Sequence, residues 1–118
     1  MSGDAFVRAY LNCAEWCGPY NEEEQEALKR KGASARWSDE AVKRAEVDCA
    51  RFQERAGELL KAWMPEQAGH DFWLTRNGHG AGFWDRGLPN GDALTTIAAA
   101  FGECNVWFDA GEGTLELE

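Results

Sequence analysis

The stretch FWLTRNGHGAGFWDRG, residues 72–87, gathers the groups in this chain whose types and spacing could do chemistry. Between the aromatic pairs Phe72-Trp73 and Phe83-Trp84 stand Arg76, Asn77, His79 and three glycines, with Asp85 and Arg86 just beyond. Glycines let backbone N–H groups approach a phosphate, and Arg76, His79 and Arg86 could neutralise it. A nucleotide- or phosphate-binding module, or a small enzyme, built on the Gly-rich loop 77–82 is therefore one reading. His79 near Asp85 also has the outline of a general base with its orienting carboxylate.

The stronger motif tests fail. GHGAG lacks the following Lys-Ser/Thr of a phosphate-binding P-loop and has no ribose-binding acid at dinucleotide spacing. No serine stands in a nucleophile elbow, and the segment holds no cysteine. The residues read first as a tight hairpin connection, with Arg76 and Asp85 as a cross-strand ion pair. The anion-binding loop stays as the alternative, and no catalytic residue is assigned.

The four cysteines, Cys13, Cys17, Cys49 and Cys104, suit reduced thiols in an intracellular protein. Cys13 and Cys17 stand at i,i+4, and only His70 and His79 are available to complete a metal set. A buried thiol pair is the plain reading and a redox pair or metal site the alternative; neither metal nor cofactor is expected.

Charge narrows the class of partner. Twenty-one acidic against 12 basic residues give a net charge of −9, which repels nucleic acid and anionic membrane and favours cationic surfaces. Residues 1–65 hold ten Lys/Arg and twelve Asp/Glu, whereas residues 66–118 hold two against nine. The acidity thus belongs mainly to the C-terminal half. The basic run Lys29-Arg30-Lys31, with Arg36 beyond, is the one candidate nucleic-acid contact, but it follows Glu22, Glu23, Glu24 and Glu26 and reads as a solvated helix end.

On a terminal strand, Glu116 and Glu118 share a face about 6.6–6.8 Å apart, on the order of the spacing of successive phosphates. Asp109 and Glu112 extend the row around a hairpin. Ordered carboxylates of this kind can occupy a cationic nucleic-acid groove as phosphates would.

The elements that must position these groups begin with a helix over 4–16, carrying Phe6, Val7, Tyr10, Leu11 and Ala14 on one face and ending at Gly18-Pro19. A short charged helix follows, with Asn21 as N-cap and Gly32 as its stop. Ser38 opens the longest helix, about 25 residues closed by Pro65, with a stripe of Val42, Ala45, Cys49, Phe52, Ala56, Leu59 and Trp63. That stripe faces the core or, alternatively, seams a homodimer.

Residues 70–76 alternate like a strand, and Phe83-Trp84-Asp85 returns as a second. Asp92 caps a short helix over ALTTIAAAFG, buried through Leu94, Ile97, Ala98 and Phe101, and NVWFDAGEGTLELE closes as a hairpin. The expected fold is one α+β domain over residues 1–118: helices in 1–65 packed on a small antiparallel sheet formed by a ββαββ unit in 66–118. With no secretory or membrane-spanning apolar run, the expected place is the cytoplasm.

The block DFWLTRNGHGAGFWDRG (71–87), followed by GDALTTIAAAFG and a terminal strand pair, resembles small proteins encoded by phages and other mobile elements. The resemblance covers roughly residues 70–118 and implies a bacterial host cytoplasm. In size and charge the chain is also similar to inhibitors of host defence, including anti-CRISPR and anti-restriction proteins that mimic DNA. That analogy implies a non-enzymatic inhibitor of a CRISPR surveillance complex or another nucleic-acid-handling defence protein. Its contacts would be Asp109, Glu112, Glu116 and Glu118, helped by Glu22, Glu23, Glu24 and Glu26. It would act as a monomer or homodimer, without direct nucleic-acid or membrane contact.

Overall fold

Asp4 accepts a hydrogen bond from the Phe6 N–H and caps the first helix, α1, Ala5–Cys17. Phe6, Val7, Tyr10, Leu11, Cys13 and Ala14 form its buried face, and Gly18 ends it at φ +71°, a conformation that favours glycine. These features come from a computed structural model that describes residues 4–19, 22–31 and 36–118. Helix α2, Glu22–Lys31, carries Glu22, Glu23 and Glu24 in its first turn, where carboxylates suit the helix dipole. The expected cap Asn21 and stop Gly32 lie outside the described residues.

A short strand β1, Arg36–Trp37, leads into α3, Asp39–Ala56, whose N-cap Ser38 accepts from the Ala41 N–H. The chain turns at Gly57 (φ +48°), passes through a 3-10 turn at Gly57–Leu60, and re-enters a helix, α4, Pro65–Arg76. The expected 25-residue helix is thus interrupted, and Pro65 opens the next helix instead of closing that one. Proline suits a first helical position because its missing N–H would have no partner there.

The largest correction concerns residues 70–76, which form the C-terminal part of α4 and not a strand. Asp71, Thr75 and Arg76 are buried along with Ala68, Gly69, Phe72 and Trp73, while Leu74 is only half-buried on the side of Glu66 and His70, so polarity does not follow burial and no 3.6-residue period shows. Phe83–Asp85 is a 3-10 turn, again not a strand. Helix α5 spans Gly91–Ala99, with Asn90 rather than Asp92 as its N-terminal boundary; Asp92 falls in the first turn. Gly102 follows at φ +74°.

The chain ends in the expected hairpin, β2, Val106–Asp109, and β3, Thr114–Leu117. The three strands order as β1-β3-β2, with β1 parallel and β2 antiparallel to β3. The fold is α+β, but its sheet is mixed and the C-terminal half is not ββαββ. Strand β1, which two residues cannot advertise, comes from the N-terminal half and pairs Arg36 with Thr114 and Trp37 with Leu115.

The core centres on Phe52 of α3. Its ring stacks on Phe72 of α4 at 4.3 Å and on Phe83 at 5.4 Å, while Phe101 meets Phe72 edge-on at 5.1 Å. Of the expected stripe, Ala45, Cys49 and Phe52 are fully buried, Ala56 and Trp63 nearly so, and Val42 and Leu59 are half-buried against the same core, so the stripe packs mainly within its own chain. Helices α1 and α4 pack most extensively, and a side chain at Gly69 would strike the Phe6 carbonyl oxygen. Among the described residues, no helix is long and apolar enough to cross a membrane.

Candidate acidic docking surface

The Gly-rich loop is a helix cap. The Gly78 N–H donates to the Thr75 carbonyl and the His79 N–H to the Leu74 carbonyl, with Gly78 at φ +64°. These are the paired bonds of a Schellman motif, which closes the last turn of α4. Asn77 reinforces it: its side chain donates to the Trp73 carbonyl and accepts from the Cys104 N–H. The Phe83 N–H bonds Thr75 Oγ1, folding the loop back onto the helix. Three backbone donors that could surround an anion are therefore already engaged with the helix.

The candidate cations are engaged too. Arg76 is buried and donates to Asp48, the Tyr10 hydroxyl, and the Phe101 and Gly102 carbonyls just past α5. Its partner is Asp48, not Asp85, because a helical 70–76 segment turns this side chain toward α3. Arg86 forks onto the fully buried Asp71, Nη2 to Oδ1 at 2.8 Å and Nε to Oδ2 at 3.0 Å, and Gln67 supplies a further donor. The Asp71 hydrogen bond raises the Arg86 guanidinium above its ordinary value. His79 is half-buried on the cap.

With both arginines of residues 66–118 paired, eight carboxylates besides Asp71 remain in that half. The structure brings part of this acidity together with that of α2. In the β2–β3 ladder, the Phe108 N–H points away from β3, toward the free edge of the sheet. Helix α2 covers that edge, and Glu24 Oε1 accepts from Phe108 N at 3.4 Å. An otherwise unpaired edge donor is thereby satisfied, and aggregation through the edge is blocked. Glu22, Glu23 and Glu26 are exposed on this same helix, beside the strand that ends at Asp109.

The hairpin carboxylates do not act as one row. Asp109 Oδ1 accepts the Gly111 and Glu112 N–H groups, which fixes the turn and leaves Glu112 exposed at its tip. Glu116 is half-buried and accepts from Ser38 Oγ and Thr114 Oγ1, tying the sheet to the start of α3. Glu118 is exposed. Glu116 and Glu118 share the outer sheet face with their register neighbours Trp107 and Asn105. Glu26 and Lys29 form an exposed ion pair at 3.6 Å, and Arg30 borders a hollow with Glu22, Glu23 and Glu26, so the basic run is interleaved with acids.

All four cysteines are free thiols; Cys13, Cys49 and Cys104 are buried and Cys17 is half-buried. Cys13 is pushed up to about 12 by burial and then by the neighbouring Cys17, so it is a poor nucleophile and metal ligand at neutral pH. Among the described residues, no group of three or more His, Cys, Asp or Glu side chains is placed to hold a metal ion.

Sequence reasoning passed over Ser38 as a partner of Glu116, a contact across 78 positions with no local signal. It also passed over Trp16. This residue falls outside the helical stripe of Phe6, Val7, Tyr10, Leu11 and Ala14, which was the available signal that its ring faces solvent. No family model, curated protein or solved structure matches the chain.

Proposed function

We propose that the protein is a non-enzymatic inhibitor of phage origin that docks its acidic side on a cationic, nucleic-acid-binding surface of a host defence complex and blocks DNA access. The observation that carries the acidic-docking reading is the Glu24 contact to Phe108, which lays the acids of α2 along the acidic hairpin. Exposed carboxylates held on a helix and a sheet edge present a fixed anionic surface, and long-range attraction speeds encounter with an Arg-rich groove. The phage origin and a CRISPR surveillance complex as the target rest on the sequence resemblance of residues 70–118 and on size and charge.

A non-catalytic role also accords with the loop chemistry: Arg76 and Arg86 are locked in ion pairs, and the Gly78 and His79 N–H groups close a helix. The test is target-DNA binding by a purified surveillance complex titrated with this protein. Inhibition that weakens steeply with salt, and is lost when Glu22, Glu26, Glu112 and Glu118 are reversed to lysine, is the expected result. Undiminished inhibition by the folded reversal variant would overturn acidic docking; no inhibition by the wild type would overturn this choice of target.

A further inference from the structure

Trp16 is 88% exposed at the C-terminal end of α1, the most exposed large apolar side chain among the described residues. The remaining apolar face of this helix is buried, so folding does not use the Trp16 indole. Three features around it favour a cation. Glu15 precedes it, also exposed, and the last turn of α1 contains no basic residue to offset the partial negative charge of the terminal carbonyls. Beside it runs a groove between α1 and α2, bordered by Pro19, Gln25 and Leu28. Gln25 donates to the Pro19 carbonyl across this seam, which fixes α2 against the end of α1, while Glu22, Glu23 and Glu26 line a separate hollow of the same helix. The groove also contains Lys29, whose charge is met by Glu26 at 3.6 Å.

We infer that Trp16 is an arginine-binding anchor beside the α2 acidic surface: a partner's guanidinium stacks on the indole and meets Glu15, while the acids of α2 attract the cationic partner at longer range. This inference rests on the acidic-docking reading and deepens it by naming the side chain recognised. Guanidinium is planar and weakly hydrated, so it stacks on an aromatic face more readily than an ammonium does. Carboxylates also favour guanidinium through bidentate pairing, but only the indole adds a stacking face. An exposed indole beside Glu15 therefore adds its own contribution to a preference for arginine.

The experiment titrates the full chain with octa-arginine and octa-lysine peptides at low salt and follows affinity and the indole N–H resonance of Trp16. Wild type is expected to bind octa-arginine more tightly and to shift that resonance. Trp16→Ala, at a site too exposed to affect folding, should weaken octa-arginine about two- to fivefold and octa-lysine less, which narrows the preference, whereas Trp16→Phe shows only part of the loss. Reversal of Glu22 and Glu26 to lysine should weaken both peptides together. Equal binding of octa-arginine by Trp16→Ala and wild type, with the charge-reversal effect intact, would overturn the anchor and leave acidic docking standing. Failure of wild type to bind either peptide would overturn both.

Discussion

Arg76 and Asp48 meet at 2.8 Å across 28 positions of sequence, and the same guanidinium bonds Tyr10 and two carbonyls beyond α5. One side chain thereby joins α4 to α1, α3 and the exit of α5. Its side chain is 3% exposed, and that of Asp48 is 16% exposed. Removing it leaves a largely buried carboxylate and several acceptors without their donor. Arg76→Ala should therefore cost about 3–5 kcal/mol. Arg76→Lys should fall between, since an ammonium cannot span the same fork of acceptors. Urea unfolding measures this; a loss within about 0.5 kcal/mol, the range of ordinary surface changes, would show that the network does not hold the fold.

The helix cap gives a second, separable prediction. Gly78 sits at φ +64° with open space where a Cβ would project, so Gly78→Ala should cost about 1–2 kcal/mol from the backbone alone. At Gly82 the added Cβ would collide with Thr75 Oγ1 and the Trp84 ring. Gly82→Ala should therefore also distort the fold-back of the loop, with a cost of about 1–3 kcal/mol from overpacking. Thermal unfolding gives both losses, and the Trp84 indole resonance should move in Gly82→Ala and stay in place in Gly78→Ala.

The cap also shows why the central motif was misread. Asn-Gly is a hairpin signal only if strands flank it; after a helix the same pair supplies the C-cap and its left-handed successor. The decision depends on HDFWLTR, where Phe72 and Leu74 alternate with Trp73 and Thr75. Tertiary packing overrides that pattern: Phe72 and Trp73 are both buried, and Asp71 and Arg76 are buried through ion pairs whose partners lie far along the chain or in a loop. Helices α1, α2 and α3 and the terminal hairpin were legible because each keeps a local period or cap. The α2 acids and the hairpin were legible separately, but their union through Glu24 and Phe108 spans 84 positions and leaves no local trace.

Thiol chemistry should separate one cysteine from three. Burial raises Cys13, Cys49 and Cys104, so these stay protonated where an ordinary thiol near 9 begins to ionise. Native protein at pH 8 should react with iodoacetamide first at half-buried Cys17, the others following only on unfolding. Because the folded chain holds these protons more tightly than the unfolded one, the stability they contribute is complete below about pH 9. For Cys13 it is lost as pH rises from there through about 12. Mass spectrometry of the alkylated protein and urea midpoints across this range provide the check; rapid native labelling of Cys13 would contradict its burial.

Glu116 and Glu118 are two residues apart on one strand but should behave differently. Glu116 accepts from Ser38, which in turn caps α3 through the Ala41 N–H, and from Thr114. Hydrogen bonds to a charged group contribute about 1.5–3 kcal/mol, so Glu116→Ala should lower stability by an amount of that order and loosen the junction of sheet and α3. Exposed Glu118→Ala should unfold with the wild type. Hydrogen exchange at the Ala41 and Val42 amides, in the first turn of α3, distinguishes the cases: faster in Glu116→Ala, unchanged in Glu118→Ala. Reversing Glu116 in a docking experiment would therefore confound lost charge with a damaged fold. Equal stability and exchange in the two variants would remove this distinction and return Glu116 to the set of carboxylates free to meet a partner.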